Sequence, residues 1–309
     1  MQTAGRRRRH GPAPPFRGER YEKFRSSPTP PFAFLRPLHG RPQGKNSTLL
    51  FLRAACTIFV TLSGPHRAAL RLAPGHKPLH RMKIACLTFN PIQENTYVLW
   101  DETNECAVID AGCSNDRENA ALRNFIEQHG LRPVLAANTH GHFDHTLGVE
   151  FLKRQYGIPF ALSSKDRFLL ENASVSGSVF GVPVGAMPEV DIDLDATPEL
   201  RFGQTTLRVI PTPGHTPGHV ALYEPQSKAL FTGDTLFRES IGRTDLPGGD
   251  YSWIMRSILE QLLPLGDEVH VYPGHGPETT LGHESLYNPF IVEVLNHEVN
   301  YRDPETDHR

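Results

Sequence analysis

From position 82 onward, apolar residues come in short runs separated by turn-formers, and most runs have the length and β-branched character of strands. KIACLTF, NTYVLW and CAVIDAG form a first group, with turn residues at 101–105 dividing the last two. Residues 115–129 change to helical spacing, with Ala120, Leu122, Phe125 and Ile126 on one side and Gly130 as a stop. VLAANTH (134–140) reads as a buried strand that runs straight into a histidine-rich loop. Helices are predicted near 147–156 and 165–172, with a strand near 159–162 between them and a loop-rich stretch over 173–195. A second group of strands follows: LRFG, TTLRVIPT, HVALYEP and KALFTGD. A helix over 251–263, the strand VHVYPGH and a final helix over 281–296 complete the pattern. Two clusters of strands with helices between and after them predict an α/β chain in which two sheets pack together.

Charge divides the chain at Met82. Residues 1–81 hold 16 of the 32 Lys and Arg but only Glu19 and Glu22 as acids, a net of +14. The remaining 16 bases face 32 acids, a net of -16, so the bland total of -2 averages two unlike parts. Of the 27 prolines, 11 lie in residues 1–81. Such a basic, proline-rich leader cannot bury enough apolar surface to offset its ordering entropy. It reads as disordered, or as an over-extended start without function; targeting or a nucleic-acid-binding tail are the lesser readings. Residues 82–309 then form the functional domain, with no nucleic acid or membrane as partner. The apolar run near 48–62 is interrupted by Arg53 and too short to cross a bilayer. Four cysteines in 309 residues exclude a disulfide scaffold, and a cytoplasmic location is expected.

The loop after Thr139 changes the picture from fold to chemistry. His140, His142, Asp144 and His145 put four potential ligands into six residues, each suited to a borderline cation. PTPGHTPGH adds His215, FTGD adds Asp234 and YPGHGP adds His275, each after a strand-like run. Seven nitrogen and oxygen ligands fit two adjacent metals, with Asp234 as the bridge. His219 reads as structural, and so do His129, His270, His283, His297 and His308. None of the cysteines lies in a motif, and Cys113, though close to Asp110, reads as an ordinary small residue.

From about Met82 to about Pro289 the chain resembles the metallo-β-lactamase superfamily, on the loop THGHFDH and the later motifs in the same order. The resemblance implies a four-layer αββα sandwich with its site at one edge. It also implies that His140, His142 and His215 hold one metal, that Asp144, His145 and His275 hold a second, and that Asp234 bridges them. Asp110, in VIDAG, matches the family's early aspartate that supports the metal loop. Two cations about 3.5–4 Å apart can polarise a carbonyl and supply hydroxide near neutral pH without a Ser or Cys nucleophile. Asp144 and Asp234 are the catalytic candidates, and two zinc ions the expected cofactors, with iron or manganese as other occupants.

Within the superfamily, Asp234 stands where common zinc β-lactamases place a cysteine. TGDTLF, IGRTDLPGGD and HGPETTLGHE look closer to hydroxyacylglutathione hydrolases (glyoxalase II) and their shorter bacterial relatives. The long form carries a C-terminal helical extension with basic residues for glutathione, whereas the tail here offers Arg302 and Arg309 from His283 onward, so a different thioester stays open. The expected substrate is a small-molecule thioester such as a hydroxyacylglutathione. Arg243 and Asp245 are the candidates for a substrate loop or a supporting shell. The alternatives are a persulfide dioxygenase with one iron on His140, His215 and Asp234, and a metal-binding module without turnover.

Overall fold

A strand covered on one face alternates buried and exposed residues, whereas one covered on both is buried throughout. The computed structural model describes residues 82–301. The first sheet is built in spatial order from β1 (Lys83–Phe89), β2 (Glu94–Trp100), β3 (Glu105–Ile109), β4 (Arg132–Ala137), β5 (Phe160–Leu162) and β6 (Ile192–Asp193). β1, β2 and β3 pair antiparallel, and β3 through β6 run parallel. The second sheet contains β7 (Glu199–Phe202), β8 (Thr205–Pro211), β9 (Val220–Glu224), β10 (Ala229–Gly233), β13 (His270–Pro273) and β14 (Thr279–Thr280). Its spatial order is β14-β13-β10-β9-β8-β7, and a small hairpin of β11 (Leu236–Phe237) and β12 (Ser240–Ile241) follows β10. The strands nearest the middle, β9 and β10, are buried at every position.

Adjacent residues in those strands enter different cores. Tyr97, Leu99 and Ile109 of the first sheet face Leu207, Leu222 and Phe231 of the second, forming the core between the sheets. The neighbouring Val98, Val108 and Phe160 point the other way. They pack on Leu122 and Ile126 of α1 (Asp116–Gln128), near α2 (Phe143–Thr146), and on Leu152 of α3 (Val149–Tyr156). On the far side, Tyr223 and Leu230 pack on Ile254 and Met255 of α6 (Tyr251–Arg256) and on Ile291 of α8 (Pro289–Tyr301). The layers are therefore helix, sheet, sheet, helix. That is the αββα sandwich.

Three stretches differ from the pattern reading. Residues 173–195 contain α5 (Ala173–Val179), directly after α4 (Arg167–Glu171), and the edge strand β6. The helix expected over 251–263 stays α-helical only to Arg256, then widens into a π turn (Ser257–Leu262) and a 3-10 turn (Leu263–Leu265) at Pro264. The final helix is two helices, α7 (Leu281–Tyr287) and α8, because Pro289 disfavours helical geometry at the residue before it. Asn288 takes ψ 114° there, and its Oδ1 accepts the Phe290 N–H at 3.1 Å. The readings of the leader and of Arg302 and Arg309 fall outside the described residues. No helix among the described residues is long and apolar enough to cross a membrane.

Candidate metal centre

Five strand ends converge at one edge of the sandwich. β3 delivers Asp110, β4 the 140–145 loop, β8 the loop with His215, β10 Asp234, and β13 His275. Asp110 adopts φ 51°, uncommon outside glycine, and this turns its carboxylate onto the neighbouring loop. Its Oδ1 accepts the Thr139 N–H at 2.7 Å and its Oδ2 accepts the Thr139 hydroxyl at 2.8 Å. Asn138 holds the far end of the same loop by donating to His145 O at 2.8 Å. The loop is thus fixed before any ligand role is considered.

The first cluster is three imidazoles. His142 Nδ1 lies 3.0 Å from His140 Nε2 and 2.9 Å from His215 Nε2. The other ring nitrogens show which tautomers are present. His215 Nδ1 lies 2.7 Å from Arg243 O, and a carbonyl only accepts, so the proton is on Nδ1. Thr139 spends its single hydroxyl proton on Asp110, so at 3.1 Å it accepts from His140 Nδ1. Both Nε2 atoms therefore present lone pairs toward His142. Burial, then the neighbouring imidazoles, hold His140 well below the usual histidine pKa, and the same causes bring His142 down to about 4. His140 and His142 are therefore held neutral.

The second cluster is charged. His275 Nε2 lies 3.3 Å from both Asp144 Oδ2 and His145 Nε2, while its Nδ1 donates to Gln93 O at 3.2 Å. His145 Nδ1 faces Asp110 Oδ2 at 3.3 Å and Glu94 Oε1 at 4.0 Å. Burial alone would lower the pKa of His145, but Asp234, Asp144 and Asp110 raise it well above the ordinary value. Asp234 lies between the two clusters, with Oδ1 3.4 Å from His145 Nε2 and Oδ2 3.5 Å from His215 and 3.6 Å from His275. Burial raises its pKa, yet His145 and the other imidazoles hold it far below the ordinary aspartate value. The arrangement calls for positive charge at its centre.

The donor set fits divalent cations. His140, His142 and His215, and separately Asp144, His145 and His275, each bring three ligand atoms within 4.8 Å of one another; His140, His145 and Asp234 form a third such group. A single proton on His142 Nδ1 can serve only one of the two Nε2 lone pairs facing it at 2.9–3.0 Å, so the other contact repels unless a cation lies among the three rings. Asp234 Oδ1 is buried without a hydrogen-bond partner, as expected of an atom reserved for a metal. Ligating histidines characteristically donate their second N–H to a carbonyl, carboxylate or other acceptor, the pattern seen at His140, His215 and His275. At Gly274 a Cβ would sit 2.3 Å from Asp234 Oδ1, so the backbone leaves room only for the ligands.

Arg243 and Asp245 pair with each other through two 2.8 Å hydrogen bonds, and the guanidinium brings the Asp245 carboxyl down to about 2. What this loop gives the centre is the Arg243 carbonyl that orients His215. His219 is buried and its Nε2 accepts the Asp234 N–H at 3.1 Å, while its ring stacks on His140 with centroids 4.9 Å apart. Sequence reasoning missed Glu94, Asn138 and Asp166. Glu94 is fully buried, and burial drives its carboxyl pKa well up. A carboxylate at the head of the strand-like run NTYVLW was the available signal.

Comparison with known proteins bears on the whole of this edge. The profile described as metallo-beta-lactamase superfamily matches residues 89–275. "Hydroxyacylglutathione hydrolase GloC" of Haemophilus influenzae is 36% identical over 220 residues, covering 68% of this chain and 98% of that protein. A solved structure titled "BLEG-1 B3 metallo-beta-lactamase" is similar with TM-score 0.63 and 37% identity, covering 68% of this chain and 99% of that one. "TTHA1623 in a di-iron-bound form" is similar with TM-score 0.60 and 38% identity, covering 67% and 99%.

Proposed function

Because the chain belongs to the metallo-beta-lactamase superfamily, we propose that it is a binuclear metallohydrolase that cleaves a thioester such as a hydroxyacylglutathione. The observation that carries the binuclear reading is the Asp234 carboxylate, with one oxygen toward His145 and the other toward His215 and His275. His140, His142 and His215 would hold one ion, Asp144, His145 and His275 the other, and Asp234 both. Bound divalent cations would bring the pKa of a coordinated water toward 7 and polarise the substrate carbonyl. Zinc suits five imidazoles and two carboxylates. Iron is the other candidate, given the di-iron form of TTHA1623. Manganese is the third.

The chain's own contribution is positional. The carbonyls of Arg243 and Gln93 fix which nitrogen of His215 and His275 is free to ligate. Asp110 does the same for the 140–145 loop, through Thr139 and His145. Asp144 and Asp234 would supply the negative charge that balances the cations. A thiolate is a good leaving group, so the reaction needs no dedicated acid from the protein. Similarity to GloC over nearly its whole length supports the thioester, and an aspartate at position 234 favours thioester hydrolysis over the β-lactam hydrolysis of the cysteine-ligated type. Free Cys86, Cys106 and Cys113 agree with a reducing, cytoplasmic setting.

The experiment is a substrate panel on the purified protein, with S-lactoylglutathione, a β-lactam, and glutathione persulfide under an oxygen electrode. Turnover of the thioester with weak or absent β-lactam cleavage is expected. Oxygen uptake with the persulfide, or preference for the β-lactam, would overturn the substrate assignment.

A further inference from the structure

We propose that Asp166 is a positioning residue for the three-imidazole half of the centre, an assignment that rests on the binuclear reading above. Asp166 lies in the turn between β5 and α4, outside every motif, and its side chain is fully buried. Three donors solvate it. Oδ2 accepts the Gly141 N–H at 3.0 Å and the Thr216 hydroxyl at 2.7 Å, and Oδ1 accepts the Gly218 N–H at 2.7 Å.

Gly141 stands between His140 and His142, and Thr216 follows His215. One carboxylate therefore ties together the two loops that carry all three imidazoles of the first cluster. A Cβ at Gly141 would lie 2.8 Å from Asp166 O, so the approach depends on glycine there. The other cluster has its own supports: Asn90 donates to Asp144 O, Asn138 to His145 O, and His275 donates to Gln93 O. Asp166 touches none of these. Its loss should loosen one half of the centre and leave the other in place.

The test strips the full-length protein of metal and titrates it with Co2+, counting bound ions and recording visible absorption alongside the thermal midpoint. Wild type should take up two ions. Asp166→Ala should keep one near wild-type affinity and bind the second about 10–100-fold more weakly, the range typical of losing outer-shell support at a metal site. Asp166→Asn should weaken the same ion, because its amide keeps one acceptor oxygen but turns its NH2 toward a donor at the other. Thr216→Val, which removes one hydrogen bond and keeps the carboxylate, should weaken the same ion by a smaller factor. If Asp166→Ala does not fold, Thr216→Val and Asp166→Asn still decide. Folded variants that bind both ions as wild type does, or lose both equally, would overturn the assignment. A wild-type protein that holds fewer than two ions would overturn the binuclear reading, and this assignment with it.

Discussion

Gly274→Ala separates the demands of the fold from those of the centre. The Gly274 N–H donates to Gly233 O and its carbonyl accepts from the Asn95 N–H, both at 2.8 Å, so the backbone cannot turn aside. An added Cβ would stand 2.3 Å from Asp234 Oδ1 and 2.7 Å from His145 Cε1. Ordinary contact begins near 3.4 Å. The carboxylate would then have to retreat by about 1 Å, whereas metal–ligand distances hold within about 0.2 Å. Overpacking of this kind costs about 1–3 kcal/mol, and in a domain of this size each kcal/mol lowers Tm by roughly 2–4 °C. The fold should survive while the metal does not. Circular dichroism melts and metal content after gel filtration read the two effects separately. Gly185→Ala, with open space around it, is the control. A Gly274→Ala protein with full metal content and wild-type turnover would refute the packing argument.

His219→Ala should lower metal occupancy and Tm together, since it strands the buried Asp234 N–H at a cost of roughly 1–3 kcal/mol; unchanged metal content would count against it. Asp101 joins the turns of both sheets, accepting from Thr103 N and Oγ1, Gln204 N and Thr205 Oγ1. Burial raises its carboxyl pKa, but these bonds more than offset that, so its folded value is depressed. Its stabilisation is present above the ordinary value of about 3.9 and lost as pH falls through the depressed one. Asp101→Ala should thus melt earlier at pH 7, with the gap to wild type closing in acid; a gap constant with pH would refute this. A chain beginning at Met82 should fold and turn over substrate like the full chain, because every proposed ligand lies between His140 and His275. Insolubility or loss of metal in that shorter chain would tie residues 1–81 to the fold.

Most strands and the seven clustered side chains were legible because each follows a local rule: apolar runs between turn residues, and histidines or aspartates at strand ends. The elements that escaped are those decided by distant contacts. α5 is written ASVSGSV, a poor helix former, and it is held by packing of Ala173 with Phe143 and Val182. The break at Asn288 carried a local signal in Pro289, outweighed by the apolar positions on both sides. Asp166 carries no pattern, because its role depends on loops far away in sequence, and Asn138 meets His145 O only once the intervening loop has turned back on it. Glu94 illustrates the same limit: nothing adjacent to it reveals that His145 will lie 4.0 Å away.

The binuclear reading stands or falls on one titration. Metal-free protein is given zinc in fractions of an equivalent while S-lactoylglutathione hydrolysis is followed. The rate should be negligible without metal, rise with added zinc and level off at two equivalents per chain. Full hydrolysis by the metal-free protein, or a plateau at one equivalent, would contradict a centre in which Asp234 serves two ions.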